Sequence, residues 1–431
     1  MAKHSLRAGT AVEDITPPVG TELSGGPFGP SRTVHQPLRA TALFLDDGQA
    51  RLVLISCDLL GFDWDYSLAV REEIAEELEI DVGAVMLACT HTHGGPATVT
   101  LRNWGTPDEA YRARLRGALV RATERAARDA APARLGAAEG RLSGLAVNRS
   151  LGPDGPVDEQ LVALRIDDAA GQMRAAVIRA AAHPVNLHSL AMITPDYPYF
   201  VRRDIGRAVG RGLPVLFLLG ASGDLNPVNF AHGQTSPDKG ELTGGRVAAA
   251  AIELLKSIET TSDVTLAFAT HEVDMPLQPL PGAEELRQFI AHHQRELDRQ
   301  TDRSPASGEY LRHKTRVEWA REALGIVQAG TQRTVMPIPI QAFRIGPAAM
   351  VGVPGEPFSE LGIAVAGAAA AVTFLVSLAN GCMGYFPSRA AFEKQTYEAA
   401  GCPRIIGVYF FDPSCLQVLG EGCRQLLQRL K

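Results

Sequence analysis

Cysteine is scarce in this chain, with six in 431 residues. None forms a C-x-x-C pair. The spacing of Cys57, Cys89, Cys382, Cys402, Cys415 and Cys423 fits no zinc ribbon, so any metal chemistry must come from histidine and carboxylate. Cys57 and Cys89 close apolar runs and read as inert core thiols. Cys402, Cys415 and Cys423 are close in sequence, which leaves a disulfide among them open. No apolar run approaches the roughly 18–20 residues of a membrane span. The opening Met1–Thr10 lacks the apolar core of a signal peptide, so a soluble, cytoplasmic protein is expected. An excess of basic charge is missing too. Lys plus Arg is 42 against 48 Asp plus Glu, a net charge of −6, which argues against a nucleic-acid surface. What is present is ordinary globular material. Hydrophobic residues are 45% and charged residues 21%, enough for a large core and unlike collagen-like, disordered or disulfide-scaffold chains.

Strand-like and helix-like runs alternate. Thr41–Leu45 and Arg51–Cys57 predict a hairpin around Asp46-Asp47-Gly48. Asp65–Ile80 predicts a helix, with Val70, Ile74 and Leu78 on one face and glutamates on the other. Ala84–Cys89 reads as a short buried strand and Asp108–Ala130 as a second helix. Leu161–Ile166 pairs with Ala175–Ala182 across Asp167–Gly171, and the apolar strand Pro214–Leu219 leads through a glycine-rich loop to a helix over Gly244–Ser257. Val264–Phe268, Pro339–Arg344, Ala348–Val353 and Val372–Leu378 are further strands, with an alanine-rich helix over Leu361–Ala371. The one composition shift, 276–332, is polar, charged and helical in pattern. It reads as a helical insertion, with a cap over an active site as its functional reading. The expectation is a single α/β domain over 1–431: a mixed-sheet catalytic domain with surrounding helices and this insertion.

Several strands end in polar clusters, where α/β folds place chemistry. Ala84–Cys89 runs into Thr90-His91-Thr92-His93-Gly94-Gly95-Pro96. On an extended chain His91 and His93 point to one side, because the side-chain period is two. Ala175–Ala182 ends at His183-Pro184. Ala348–Val353 ends at Pro354-Gly355-Glu356, and Val372–Leu378 leads to Tyr385, with Tyr397 beyond. Each has an ordinary structural use: a hydrogen-bonded histidine, a helix-start carboxylate, a half-buried tyrosine. Two histidines and a glutamate from separate strand ends together make a plausible zinc site with an open position. Pro214–Leu219 ends at Gly220-Ala221-Ser222-Gly223-Asp224, either an oxyanion-binding loop or a tight turn built on Asp224. Ser222, Asp224 and Asp58 are carried as candidate substrate contacts.

In this order the motifs resemble the catalytic domain of the neutral/alkaline non-lysosomal ceramidases. The resemblance runs through Ala8-Gly9-Thr10-Ala11, Asp14-Ile15-Thr16-Pro17, Ile55-Ser56-Cys57-Asp58 and Thr90-His91-Thr92-His93-Gly94-Gly95-Pro96. It continues through Asn148-Arg149-Ser150, His183-Pro184, Asp196-Tyr197-Pro198, Gly223-Asp224-Leu225-Asn226-Pro227, Pro354-Gly355-Glu356, and Leu378-Ala379-Asn380 to Tyr385 and Tyr397. It implies zinc held by His91, His183, Glu356 and Tyr385. It also implies that His93, Arg149 and Tyr397 contact the scissile amide and its tetrahedral intermediate, with metal-activated water as nucleophile. The family's C-terminal immunoglobulin-like domain is not expected here. Ser222 is displaced by register from the serine of the family loop.

The expected function is zinc-dependent hydrolysis of a small N-acyl or amide substrate. A soluble substrate is favoured over ceramide, because the helical patterns at 65–80 and 283–299 are acidic or mixed rather than basic and membrane-seeking. Alternatives are a true ceramidase acting on N-acylsphingosine and a zinc-dependent lyase or acyl-transfer enzyme. A (β/α)8 amidohydrolase and a binding protein with a silent site rank lower. The substrate is the expected partner, and a homo-oligomer stays open.

Overall fold

The hairpin around Asp46-Asp47-Gly48 lies toward one end of the larger sheet. The computed structural model describes residues 5–26, 29–210, 212–230, 234–304, 307–368 and 372–430. The main sheet contains β1 (Arg7–Asp14), β2 (Arg39–Asp46), β3 (Arg51–Cys57), β4 (Val85–Cys89), β5 (Ala131–Arg141), β6 (Gln160–Asp168), β7 (Met173–Ala180) and β8 (Val215–Leu219). Their order in space is β8-β7-β6-β5-β1-β2-β3-β4. The centre is antiparallel. Each end is a parallel pair, β3 with β4 and β7 with β8, joined by the crossover helices α1 (Trp64–Leu78) and α3 (Tyr197–Val209). Helix α2 (Glu109–Asp129) starts where Asp108 accepts from the Ala110 and Tyr111 amides.

A smaller sheet, β9 (Leu266–Pro276), β10 (Val335–Ile345), β11 (Ala348–Gly352) and β12 (Val372–Val376), packs on one face of the larger. Leu54, Met86, Leu164, Leu216 and Leu218 meet Phe343, Met350 and Phe374 in the seam. Helices α1, α2, α3 and α4 (Pro237–Ser257) cover the far face of the large sheet. The short helix α5 (Ser359–Ala366) and the terminal helix α6 (Cys415–Gln428) cover the small one. The expected α/β mixed-sheet architecture is what the chain adopts.

The large sheet also curls. Strand β8, at one end, lies against β2, β3 and β4 at the other, and Ser56 Oγ donates to Phe217 O at 2.6 Å. Strand ends that are far apart in sheet order thereby become neighbours.

Some boundaries differ from the sequence reading. Helix α4 begins at Pro237, seven residues before Gly244, because Ser236 caps it and proline suits the first turn. Gly244 is tolerated inside because a Cβ there would lie 2.6 Å from Tyr197 O of α3. Helix α5 spans Ser359–Ala366 rather than Leu361–Ala371, whose last three residues lie outside the described set. The six cysteines are all free.

Between β9 and β10 the chain makes a helical hairpin, Ala283–Arg299 and Gly308–Ala329. It braces neighbouring loops. Trp319 Nε1 donates to Val408 O at 2.9 Å, Arg102 pairs with Glu322 at 2.6 Å, and Asn103 Nδ2 donates to Glu318 at 2.8 Å.

Arg179 on β7 is fully buried and paired with Asp158. It also donates to Gln160 O (2.8 Å) and to Leu375 O (3.2 Å) of β12, tying the two sheets together. Removing one member strands a buried charge, so Asp158→Ala should cost about 3–5 kcal/mol in urea unfolding. The pair change Arg179→Met with Asp158→Leu should recover most of that loss.

Candidate active site

Three side chains meet where the curled sheet brings strand ends together. His91 and His93 follow β4, His183 follows β7, and Glu356 follows β11. His91 Nε2 lies 3.1 Å from His183 Nε2 and 3.1 Å from Glu356 Oε2, and His183 Nε2 lies 3.2 Å from that same oxygen. All three residues are buried.

The other nitrogen of each ring decides what this convergence means. His91 Nδ1 sits 2.8 Å from Leu60 O, and His183 Nδ1 2.8 Å from Ser222 O. A carbonyl only accepts, so each Nδ1 carries a proton and donates it. Each neutral ring then turns an Nε2 lone pair toward a carboxylate oxygen that has no hydrogen-bond donor. Burial by itself would raise the Glu356 pKa, but positive charge at His91 and His183 outweighs it and holds the carboxyl well below the usual range. Burial, with Arg149 nearby, pushes His183 down to about 4. Three acceptors this close need a positive centre among them. A proton serves one pair of them, whereas a metal ion serves all three.

The backbone is shaped to this end. The expectation that His91 and His93 alternate along an extended strand does not hold. Strand β4 stops at Cys89, and His91 takes a left-handed conformation, φ 65°. The two rings still sit 5.1 Å apart, edge to face. His93 Nδ1 donates to Gly25 O at 3.0 Å, and its Nε2 has no partner. Gly25 is needed there, since a Cβ would lie 2.4 Å from the His93 ring. At Gly223 a Cβ would meet Glu356 O at 2.5 Å, so only glycine lets the loop after β8 approach Glu356. Ligand atoms of His91, His93 and His183 all lie within 4.8 Å of one another, a cluster able to hold a metal ion.

Arg149 forms the facing wall. It donates to Glu398 (3.0 Å), Asn226 (3.2 Å), Gly223 O (2.8 Å) and the Tyr385 hydroxyl (3.1 Å). Burial opposes its charge, but Tyr385, Glu398 and Glu356 outweigh burial and keep it protonated. Burial and Glu356 hold the Tyr385 hydroxyl well above its usual pKa. Tyr397 lies 45% exposed with its ring 6.4 Å from that of Tyr385. His93, Arg149, His183, Tyr385 and Tyr397 line one cavity of about 910 Å3, together with Trp104, His188, Asn226, Phe230, Lys394 and Glu398.

Ser222, Asp224 and Asp58 do not line that cavity. Ser222 offers its carbonyl to His183. Asp224 accepts from Asn148 (2.6 Å) and from the Ser359 amide (2.7 Å) and hydroxyl (2.8 Å), while its own carbonyl receives the Arg149 amide at 2.7 Å. Asp58 holds Arg202 through two bonds, 2.9 and 2.7 Å. No described residue of 276–332 lines the cavity either. The hairpin packs against Asn103 and the segment 408–410. Asn226, within the Gly223–Pro227 motif, and Glu398 were given no role by sequence reading, and Lys394 was not considered. Glu398 follows Tyr397 directly, which was the one available signal.

Fold and site together define a two-sheet α/β protein with a candidate metal centre at converging strand ends. Within that class the fold is similar to that of solved neutral ceramidases. The solved neutral ceramidase of Pseudomonas aeruginosa superposes with a TM-score of 0.72 over 99% of this chain and 75% of that one, at 21% identity. A structure described as ceramidase complexed with C2 superposes at 0.71, covering 99% and 76%, at 20% identity. In sequence, the neutral ceramidase of Pseudomonas aeruginosa is 27% identical over 219 residues, 45% of this chain. The match spans 32% of that relative's length. No protein-family profile matches the chain. The structural likeness establishes the fold, and the sequence match adds partial homology.

The His183 environment has a consequence for stability. Its folded pKa lies below the ordinary 6.5, at about 4, so the folded protein binds fewer protons than the unfolded chain. The stabilisation is present above pH 6.5 and is lost as the pH falls toward 4, by about 3 kcal/mol at most. Urea unfolding of chelator-treated protein at pH 7 and 4.5 should show this decline, and His183→Gln should flatten it.

Proposed function

We propose that this protein is a zinc-dependent amidohydrolase that cleaves the amide bond of an N-acyl substrate. The observation that carries the reading is the meeting of two imidazole lone pairs and an ionised carboxylate at 3.1–3.2 Å, with no donor among them. His91, His183 and Glu356 would hold the ion, with Tyr385 as a fourth ligand. Nitrogen and carboxylate donors suit zinc. When bound, zinc supplies a Lewis acid that activates water and polarises the amide carbonyl.

The remaining roles fall to the chain. His93 has its Nδ1 proton held by Gly25 O, which leaves Nε2 free to take a proton from water and return it to the departing amine. Burial, reinforced by the rings of His91, His183 and His188, holds His93 well below its usual pKa, so it starts neutral, as a base must. Arg149 is fixed by four acceptors and presents a permanent charge to the developing oxyanion. Tyr397 stands on the same cavity and can donate its hydroxyl proton to that charge. Ser222, Asp224 and Asp58 are assigned as supports: Ser222 orients His183, Asp224 seats Arg149, and Asp58 accepts from the Arg39 amide at the start of β2 and ties it to Arg202 of α3. The names of the relatives and the amide chemistry agree, and ceramide is a direct candidate substrate on those names. Among the described residues no helix is long and apolar enough to cross a membrane.

Elemental analysis of the purified protein should find about one zinc per chain. His91→Ala and Glu356→Ala should lose the metal and the activity together. Stoichiometric zinc in both variants would overturn the site. Arg149→Ala should keep the metal and the fold yet lower kcat by roughly 100- to 1,000-fold with a smaller change in KM.

A further inference from the structure

One wall of the cavity carries polar groups that the amide chemistry does not use. Lys394 lies on the rim, three residues before Tyr397, with its ammonium donating to Leu151 O at 3.0 Å. Among the described residues it makes no ion pair. The carboxylate that lines the cavity, Glu398, is held by Arg149. Lys394 is therefore a net positive charge at the mouth, in a chain whose overall charge is −6. The same cavity is lined by two hydroxyl residues, Ser150 and Thr396. Their oxygens, Ser150 Oγ and Thr396 Oγ1, are shielded from solvent with no hydrogen-bond partner. A shielded hydroxyl without a partner costs free energy, about 1–3 kcal/mol, unless something in the site satisfies it. An ammonium and two hydroxyl donors on one cavity suit a carboxylate, which only accepts.

We infer that the wall of Ser150, Lys394 and Thr396 is a carboxylate subsite, and that the substrate is an amide carrying a carboxylate close to the scissile bond, as in an N-acyl amino acid. This rests on the amidohydrolase reading and narrows it. Ser150 follows Arg149, and Thr396 precedes Tyr397, so the subsite sits directly beside the groups assigned to the oxyanion. Trp104, Val185 and Phe230 give the same cavity apolar surface for the acyl part. A neutral amide would leave the ammonium without a counter-charge and the hydroxyls without an acceptor, which is how a polar site rejects an analogue.

The test uses a matched pair of substrates, N-octanoylglycine and N-octanoylethanolamine, with ceramide as a third arm, on the zinc-loaded protein. The glycine conjugate should have the higher kcat/KM by roughly tenfold or more. Lys394→Met should shrink that ratio by roughly tenfold, mainly through KM, with zinc content unchanged. Ser150→Ala and Thr396→Val should each shrink it further, and raised salt should narrow the wild-type ratio by screening the exposed ammonium. Equal rates on the matched pair, or a ratio indifferent to Lys394→Met, would overturn the subsite while leaving the amidohydrolase intact. Cleavage of ceramide alone would do the same. No cleavage of any of the three by zinc-loaded protein would overturn both.

Discussion

Two imidazole nitrogens and one carboxylate oxygen, each an acceptor, stand within 3.1–3.2 Å of one another in the interior of the protein. That arrangement is repulsive unless a cation sits among them, and most of the surrounding structure exists to maintain it. Leu60 O and Ser222 O fix the tautomers. Gly223 lets the Ser222 loop pass close to Glu356, where a methyl group would collide. The curl of the large sheet brings the end of β4 to the end of β7, and the packing of the small sheet carries Glu356 in from the other side. Elements that look like ordinary folding decisions are at the same time decisions about the site.

The buried polar scaffold follows the same logic. Arg179, paired with Asp158 and bonded to Leu375 O, pins the two sheets whose strand ends supply the ligands. Asp224 accepts three bonds from Asn148 and Ser359 and through its backbone seats Arg149. A residue that looks catalytic in sequence, an aspartate in a glycine-rich loop, can thus be wholly taken up by holding its neighbours. The same applies to Asp58, whose carboxylate is saturated by Arg202 and the Arg39 amide. By contrast, three polar atoms of cavity-lining residues, His93 Nε2, Ser150 Oγ and Thr396 Oγ1, have no partner among the described residues, and that is where a ligand can act.

Much of this was legible beforehand. The β2–β3 hairpin, α1, α2 and the paired β6 and β7 follow from periodicity and turn residues, because local sequence carries those signals. Local signals also placed His91, His183 and Glu356 at strand ends. The resemblance to the ceramidases drew them into one site together with Arg149 and Tyr385. Other features were not legible. The period-two argument for His91 and His93 gave way to a left-handed turn at His91, held where its amide bonds to Leu59 O. The early start of α4 depended on close contact with α3, which makes Gly244 an asset instead of a breaker. Strands β1 and β5 alternate too weakly to announce themselves, since both are partly exposed.

The amino-acid sequence by itself determined the class of chemistry. Scarce cysteine, no basic surplus and histidines after apolar strands restrict the options to a globular α/β chain with nitrogen and oxygen donors. Tertiary structure alone decided which donors meet. His91 and His183 are 92 positions apart and lie near opposite ends of the sheet. Only the curl closes that gap, and curl arises from sheet twist and long-range packing summed over many residues, a quantity no short window of sequence contains.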